Sequence, residues 1–187
     1  IIGELMQPGG VQCLQQLNLQ HLLNNIDGQE VDGYKLIMND KSFTIDYSEV
    51  KDGIKGIGLR NGKFLTNIRR ELGEKKNVTL IQGNVTDLVE EDQKITGVKY
   101  ADSDGKEVII HASLTVVSDG PMSFFRKQLS QPNKKVTSFF IGLVLRDLEL
   151  EDPTLGHMIL SGEAPMLVYP IEQNGYRILI DHPGDKP

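Results

Sequence analysis

The chain has 187 residues, a formal net charge of −6, 39% hydrophobic residues, no Trp and one Cys. That length admits one large or two small domains with a buried core. The acidic balance and the lack of a Lys/Arg-rich run exclude a nucleic-acid surface. No apolar run approaches the roughly 20 residues that span a bilayer. The single Cys13 excludes an internal disulfide and a cysteine metal site; its apolar helical surroundings predict a buried, inert thiol.

In chain order, Pro8-Gly9-Gly10 precedes Val11, Leu14, Leu17, Leu19, Leu22 and Leu23, whose spacing predicts an amphipathic helix broken near Asn18. Val31 to Met38 and Ser42 to Tyr47 read as two strands joined by Asn39-Asp40-Lys41. Residues 48–62 are rich in Gly and charge and read as a loop. Phe64, Leu65, Ile68 and Leu72 give a helix face that ends at Gly73. Val78 to Ile81 reads as a short buried strand. Val85 to Val89, Ile95 to Tyr100 and Val108 to His111 alternate around two turn signals and predict an antiparallel meander. A strand over 114–118 and a helix over 121–129 follow. Beyond Gln131-Pro132-Asn133 come four strands, at 136–145, 156–160, 166–171 and 177–180, with little helix between them. These are expected to pair with the 31–47 hairpin, because an isolated hairpin is marginal. The fold class is mixed α/β, and its two parts alternate along the chain. The first residues, Ile1-Ile2-Gly3-Glu4, and the last, Gly184-Asp185-Lys186-Pro187, read as cut ends of an internal segment.

The run Leu114-Thr115-Val116-Val117-Ser118-Asp119-Gly120-Pro121-Met122-Ser123-Phe124-Phe125-Arg126 carries the densest chemical signal. A β-branched stretch ends in Asp-Gly, then a Pro opens a helical pattern. This predicts a buried strand whose carboxyl end carries Asp119 in a cleft, where open α/β sheets bind ligands. Gly120 permits close approach to the backbone. Ser123 follows four residues after Asp119, and Arg126, almost two turns along the expected helix, lies close enough to reach back as a charge partner. An ordinary capped strand–turn–helix corner explains the same residues. The four His residues, His21, His111, His157 and His182, sit at no metal-ligand spacing.

Several motifs, taken in order, resemble the squalene monooxygenases (squalene epoxidases). They are Gly3-Glu4-Leu5-Met6-Gln7-Pro8-Gly9-Gly10, Val31-Asp32-Gly33-Tyr34, Asn61-Gly62-Lys63-Phe64 with Ile68-Arg69-Arg70, Gly83-Asn84-Val85, the 114–127 run, Val168-Tyr169-Pro170-Ile171 and Arg177 to Asp181. The resemblance implies a two-domain FAD-dependent monooxygenase. Residues 1–29 and 60–132 would belong to a glutathione-reductase-type FAD-binding domain. Residues 30–59 and 133–187 would belong to a substrate domain with an aromatic-hydroxylase-like sheet. The implied reaction converts squalene and dioxygen to 2,3-oxidosqualene, with electrons from an NADPH-linked reductase. It also implies attachment to the endoplasmic reticulum or another intracellular membrane through parts outside this segment.

By the same resemblance Tyr34 is the catalytic residue, Gln7 and Tyr34 face substrate, and Glu4, Arg69, Val85, Asp119 and Gly120 contact FAD. Met6, Phe43, Leu145, Met166 and Leu167 are candidates to line an apolar cavity; each fits a plain core equally well. The chain departs from the pattern, lacking among others the acidic residue for the adenosine ribose and the Arg expected just before Ile1. It has no Gly-x-Gly-x-x-Gly turn, it has no later Gly-Asp motif followed by a Gly-rich helix, and Lys63 stands where the family has Arg. Two other readings compete: a flavin hydroxylase acting on a polar aromatic, and a non-catalytic fragment that has kept the fold but not the cofactor.

Overall fold

The computed structural model describes residues 4–120, 122–129, 136–160, 162 and 164–184. In chain order its elements are β1 (Leu5–Met6), α1 (Pro8–Gln16), β2 (Gln29–Val31), β3 (Gly33–Met38), β4 (Lys41–Asp46), β5 (Gly56–Gly58), α2 (Asn61–Gly73), β6 (Asn84–Glu91), β7 (Lys94–Ala101), β8 (Glu107–His111), α3 (Arg126–Leu129), β9 (Ser138–Arg146), β10 (Leu155–Ile159), β11 (Met166–Glu172) and β12 (Gly175–Pro183). Single 3-10 turns lie at Gln20–Leu23 and Tyr47–Glu49. The class is mixed α/β.

Two compact units result: Ile1–Lys75 with Val136–Pro187, and Lys76–Lys135. This division differs from the expected one. The first 29 residues and α2 belong with the large sheet because side chains tie them to it. The Glu4 N–H donates to the Tyr169 phenol oxygen, Arg60 donates to Glu172, and Arg177 donates to Glu4.

The first unit is built on a six-stranded sheet in the order β4-β3-β10-β11-β12-β9. All its pairings are antiparallel except β3 with β10. The hairpin β3–β4 thus joins the C-terminal strands, as its alternation led one to expect. Asn39 carries the positive φ of 53° that the tight turn needs. A small sheet, β1-β5-β2, lies against β11. Strand β5 falls inside the stretch read as loop. Gly58 explains why it packs there: a Cβ at that residue would lie 1.7 Å from the Pro170 carbonyl oxygen. Val31, Ile171, Tyr169 and Ile26 are the most deeply buried side chains of the core. Helix α2 is held down by Asn67, whose amide donates to the Leu22 carbonyl at 2.8 Å and to that of Asn24 at 3.1 Å.

Helix α1 ends at Gln16, and Asn18, at φ 57°, turns the chain away. Cys13 is exposed rather than buried. It sits two residues from half-buried Val11, which at 100° per residue puts it on the opposite side of the helix.

The second unit contains the meander β6-β7-β8, as expected from its alternation. Asp92 and Gln93, both at positive φ, make its first turn. Asp102 Oδ1 accepts from the N–H groups of Asp104 and Lys106 to make the second. Two expected strands are absent. Residues 78–81 and 114–118 form no ladder, and Leu114 and Val116 are 77% and 75% exposed. β-Branched runs favour extended chain, but a strand needs a neighbour to pair with, and no described strand lies beside either run. The helix expected over 121–129 is reduced to α3, and Pro121 lies outside the described residues.

Candidate active site

Tyr34 is placed by three strands. On β3 it stands opposite Ile45 of β4 and Gly156 of β10. Gly156 leaves room for the ring: a Cβ there would lie 2.8 Å from Tyr34 Cε1. Gln7 reaches the same spot from the link between β1 and α1. As the residue before Pro8 it is held extended, at φ −67° and ψ 159°, and Pro8 starts the helix directly after it. Gln7 Nε2 donates to the Tyr34 phenol oxygen at 2.5 Å.

A third residue completes the group. The Tyr47 hydroxyl donates to Gln7 Oε1 at 2.7 Å. Its ring meets Tyr34 edge to face, with centroids 6.1 Å apart and planes at 88°. Tyr47 is itself fixed: its N–H donates to the Asp32 carbonyl at 2.8 Å, and Asp46 caps the following turn by accepting from Ser48 N–H at 2.7 Å. Burial first, and the nearness of Tyr34 second, push the Tyr47 phenol far above the ordinary tyrosine range, so it stays a proton donor. Sequence reasoning missed Tyr47. The signal was there in the strand period, because Phe43 and Ile45 share a face with Tyr34 and Tyr47 continues that alternation.

Ladder register sorts the expected cavity residues. Leu36, Phe43, Met158 and Leu167 share the face of Tyr34. Leu145 and Met166 fall on the opposite face, with Lys35 and His157. The five residues therefore do not line one cavity. Met6 lies on β1, with its Cγ 2.8 Å from where a Cβ of Gly10 would stand.

Glu4 is buried, and both carboxylate oxygens are engaged. Oε1 accepts from Asn61 N–H at the start of α2 at 3.0 Å, and Oε2 accepts from Arg177 Nε at 3.1 Å and from its Nη2. The carboxylate braces α2 against β12. Tyr169 is buried beside it, and burial raises its phenol pKa. Arg69 lies exposed on α2, with no hydrogen bond or ion pair among the described residues.

In the second unit, Val85 sits on β6 where the register to β7 shifts before Asp87, so the ladder is interrupted at its backbone. Asp119 is exposed, not set in a cleft at the end of a buried strand. The Ser123 hydroxyl first, and backbone N–H groups after it, hold its carboxyl below the usual range; one of these is the Phe124 N–H, at 3.1 Å. Gly120 has φ 83°, and its carbonyl accepts from Arg126 Nη2 at 3.1 Å. The corner is thus capped from both sides.

Among the described residues no group of three His, Cys, Asp or Glu side chains is placed to hold a metal ion. No described helix is long and apolar enough to cross a membrane.

The fold resembles those of solved flavoproteins, over about half the length of each. PqsL of Pseudomonas aeruginosa, described as a probable FAD-dependent monooxygenase, superposes with a TM-score of 0.80 at 15% identity over 97% of this chain and 50% of its own. The p-nitrophenol 4-monooxygenase PnpA of Pseudomonas putida gives 0.80 at 13% identity over 99% of this chain and 49% of its own. Sequence narrows the class. A family model described as squalene epoxidase matches residues 111–187. Squalene epoxidase 3 of Arabidopsis thaliana is 40% identical over 188 residues, which are 100% of this chain and 36% of the relative. The squalene monooxygenase of Mus musculus is 35% identical over 194 residues, 100% of this chain and 34% of its own. Along its whole length the chain resembles a segment of the squalene epoxidase family, and it spans about a third of the length of these relatives.

Proposed function

We propose that this chain forms part of an FAD-dependent enzyme that converts squalene to 2,3-oxidosqualene with dioxygen. In this reading Tyr34, held by Gln7, is the polar contact at the edge of an apolar substrate face. The observation that carries the reading is the Gln7–Tyr34 hydrogen bond. It joins two separate motifs of the family resemblance at one point, beside Leu36, Phe43, Met158 and Leu167. A squalene-like hydrocarbon offers no group for ion pairing, so its binding rests on apolar burial, and a single fixed phenol suffices to orient the reacting end.

FAD, when bound and reduced, supplies the activation of dioxygen. The residues present suit part of that cofactor. In the first unit the Arg69 guanidinium, exposed and without a hydrogen bond or ion pair among the described residues, is available for a charge-assisted bond, and Glu4 serves by holding the helix that carries it. In the second unit Asp119 is kept ionised and exposed, a ready acceptor for a sugar-like hydroxyl. Beside it Gly120 has no side chain to obstruct a ligand, and Val85 offers backbone at the interrupted ladder. The glycine-rich turn that seats a pyrophosphate is not among the 187 residues. An NADPH-linked reductase as electron source, and attachment to the endoplasmic reticulum or another intracellular membrane, belong to the same proposal and follow from the family resemblance.

The test is Tyr34→Phe in the full-length coding product. Removing the hydroxyl leaves the Gln7 amide without its acceptor, so turnover of squalene should fall roughly ten- to a hundredfold while FAD stays bound. Product formation at saturating squalene and the flavin absorbance of the purified protein read the two effects separately. Wild-type turnover would remove Tyr34 from the reaction.

A further inference from the structure

We propose that Tyr47 is a positioning residue of this site: by donating its hydroxyl to Gln7 Oε1, it holds the Gln7 amide against Tyr34. The inference rests on the reading of Gln7 and Tyr34 given above.

Gln7 is an exposed residue on a long side chain, and one hydrogen bond to a half-buried phenol does not fix three rotatable bonds. The structure supplies a second anchor. Gln7 Oε1 takes the Tyr47 hydroxyl at 2.7 Å while Gln7 Nε2 gives to Tyr34 at 2.5 Å, so both ends of the amide are engaged. The anchor is itself rigid. Tyr47 stands where β4 passes into a capped 3-10 turn, its N–H is tied to Asp32, and its ring abuts the Tyr34 ring. Two segments distant in sequence, the link between β1 and α1 and the β3–β4 hairpin, therefore meet at one amide. Neither Tyr34 nor Tyr47 needs to ionise for this. The role is to hold geometry, and Tyr47 reaches the reacting region only through its neighbours.

Its two contacts make different demands on the side chain. The edge-to-face packing needs the ring, and the hold on Gln7 needs the hydroxyl. Tyr47→Phe removes only the second. In the full-length coding product this variant should lower kcat for squalene about tenfold, with flavin content and melting temperature close to wild type. A double-mutant cycle identifies the route. Once Gln7→Ala has removed the amide, adding Tyr47→Phe should cost less than about twofold more, because the two changes break one linkage. p-Aminophenylalanine at position 47 restores a donor at the same place and should return kcat to within about twofold of wild type. If Tyr47→Phe does not fold, p-methylphenylalanine fills the space of the hydroxyl without donating and replaces it in the cycle.

Equal losses from Tyr47→Phe with and without Gln7 would overturn the proposal, because Tyr47 would then act independently of the amide. So would wild-type kcat in Tyr47→Phe when Gln7→Ala is impaired. If Gln7→Ala and Tyr34→Phe both turn over squalene like wild type, the underlying site reading fails first, and this inference falls with it.

Discussion

His157 shows how a single residue couples this fold to pH. It is 4% exposed on β10, and its Nδ1 has no hydrogen-bond partner among the described residues. Desolvation lowers its pKa below the ordinary 6.5, a backbone hydrogen bond at Leu155 pulls the other way, and Lys35 adds repulsion. The folded protein therefore binds this proton less readily than the unfolded chain. Its neutral form leaves stability intact above about pH 6.5, and stability drains away as pH falls below that value. Melting temperature measured from pH 7.5 to 5 should fall, and His157→Leu should flatten the decline. An unchanged slope in that variant would place the titrating group elsewhere. Glu4 gives a second test at this scale. As the partner of Arg177, with side-chain exposures of 10% and 14%, it is a mostly buried ion-pair member. Glu4→Ala strands a buried guanidinium and should cost about 3–5 kcal/mol in denaturant unfolding of the full-length protein. Loss of FAD at unchanged stability would instead favour a direct cofactor contact.

At the scale of elements, close approach of main chains matters as much as side-chain pattern. Gly156→Ala places a methyl carbon 2.8 Å from the Tyr34 ring, which must tilt or the strands part. Turnover should fall about tenfold, with a loss of about 1–3 kcal/mol in stability, read by kinetics beside denaturant melts. Gly58→Ala meets the carbonyl oxygen of Pro170, a backbone atom that no rotamer change moves aside. It should cost about 3 kcal/mol or more and leave little folded protein. Gly58 also explains what the sequence did not show. The β3–β4 hairpin, the meander and β9 to β12 were legible because each strand is an apolar or alternating stretch of five or more residues. Strand β5 is Gly-Ile-Gly, with one side chain to carry any period, and its place is set by backbone contact. The opposite failure lies at 114–118, where strong β-propensity stands without a partner strand. Tyr34 and Gln7 were legible through family resemblance. Tyr47 was not singled out, because its role depends on where a turn after β4 aims its hydroxyl.

Over the whole molecule, exposed apolar surface and the residues proposed to meet FAD point the same way. Phe43 and Phe140 are 65% and 60% exposed, on the face of the six-stranded sheet that also carries Tyr34. In the second unit Leu114, Val116, Met122 and Phe124 are exposed as well. Surface of this kind is uncommon on a self-sufficient soluble domain and marks a face that is normally covered. The residues proposed to meet FAD have the same character. Arg69, Asp119 and Gly120 are exposed, but the sequence has no Gly-x-Gly-x-x-Gly turn to seat a pyrophosphate. The 187 residues expressed alone should therefore bind an apolar dye such as ANS strongly and purify colourless, with far less than one flavin per chain. The full-length product should bind the dye weakly and carry FAD. Asp119→Ala in that product should weaken FAD retention about tenfold, the scale of one lost hydrogen bond to a charged group, with little change in melting temperature, because the residue is exposed. Dialysis followed by flavin absorbance reads the retention. A yellow 187-residue segment with one flavin per chain would show that it holds the cofactor without the missing turn. A lowered melting temperature with unchanged FAD affinity in Asp119→Ala would reduce Asp119 to the cap of its corner.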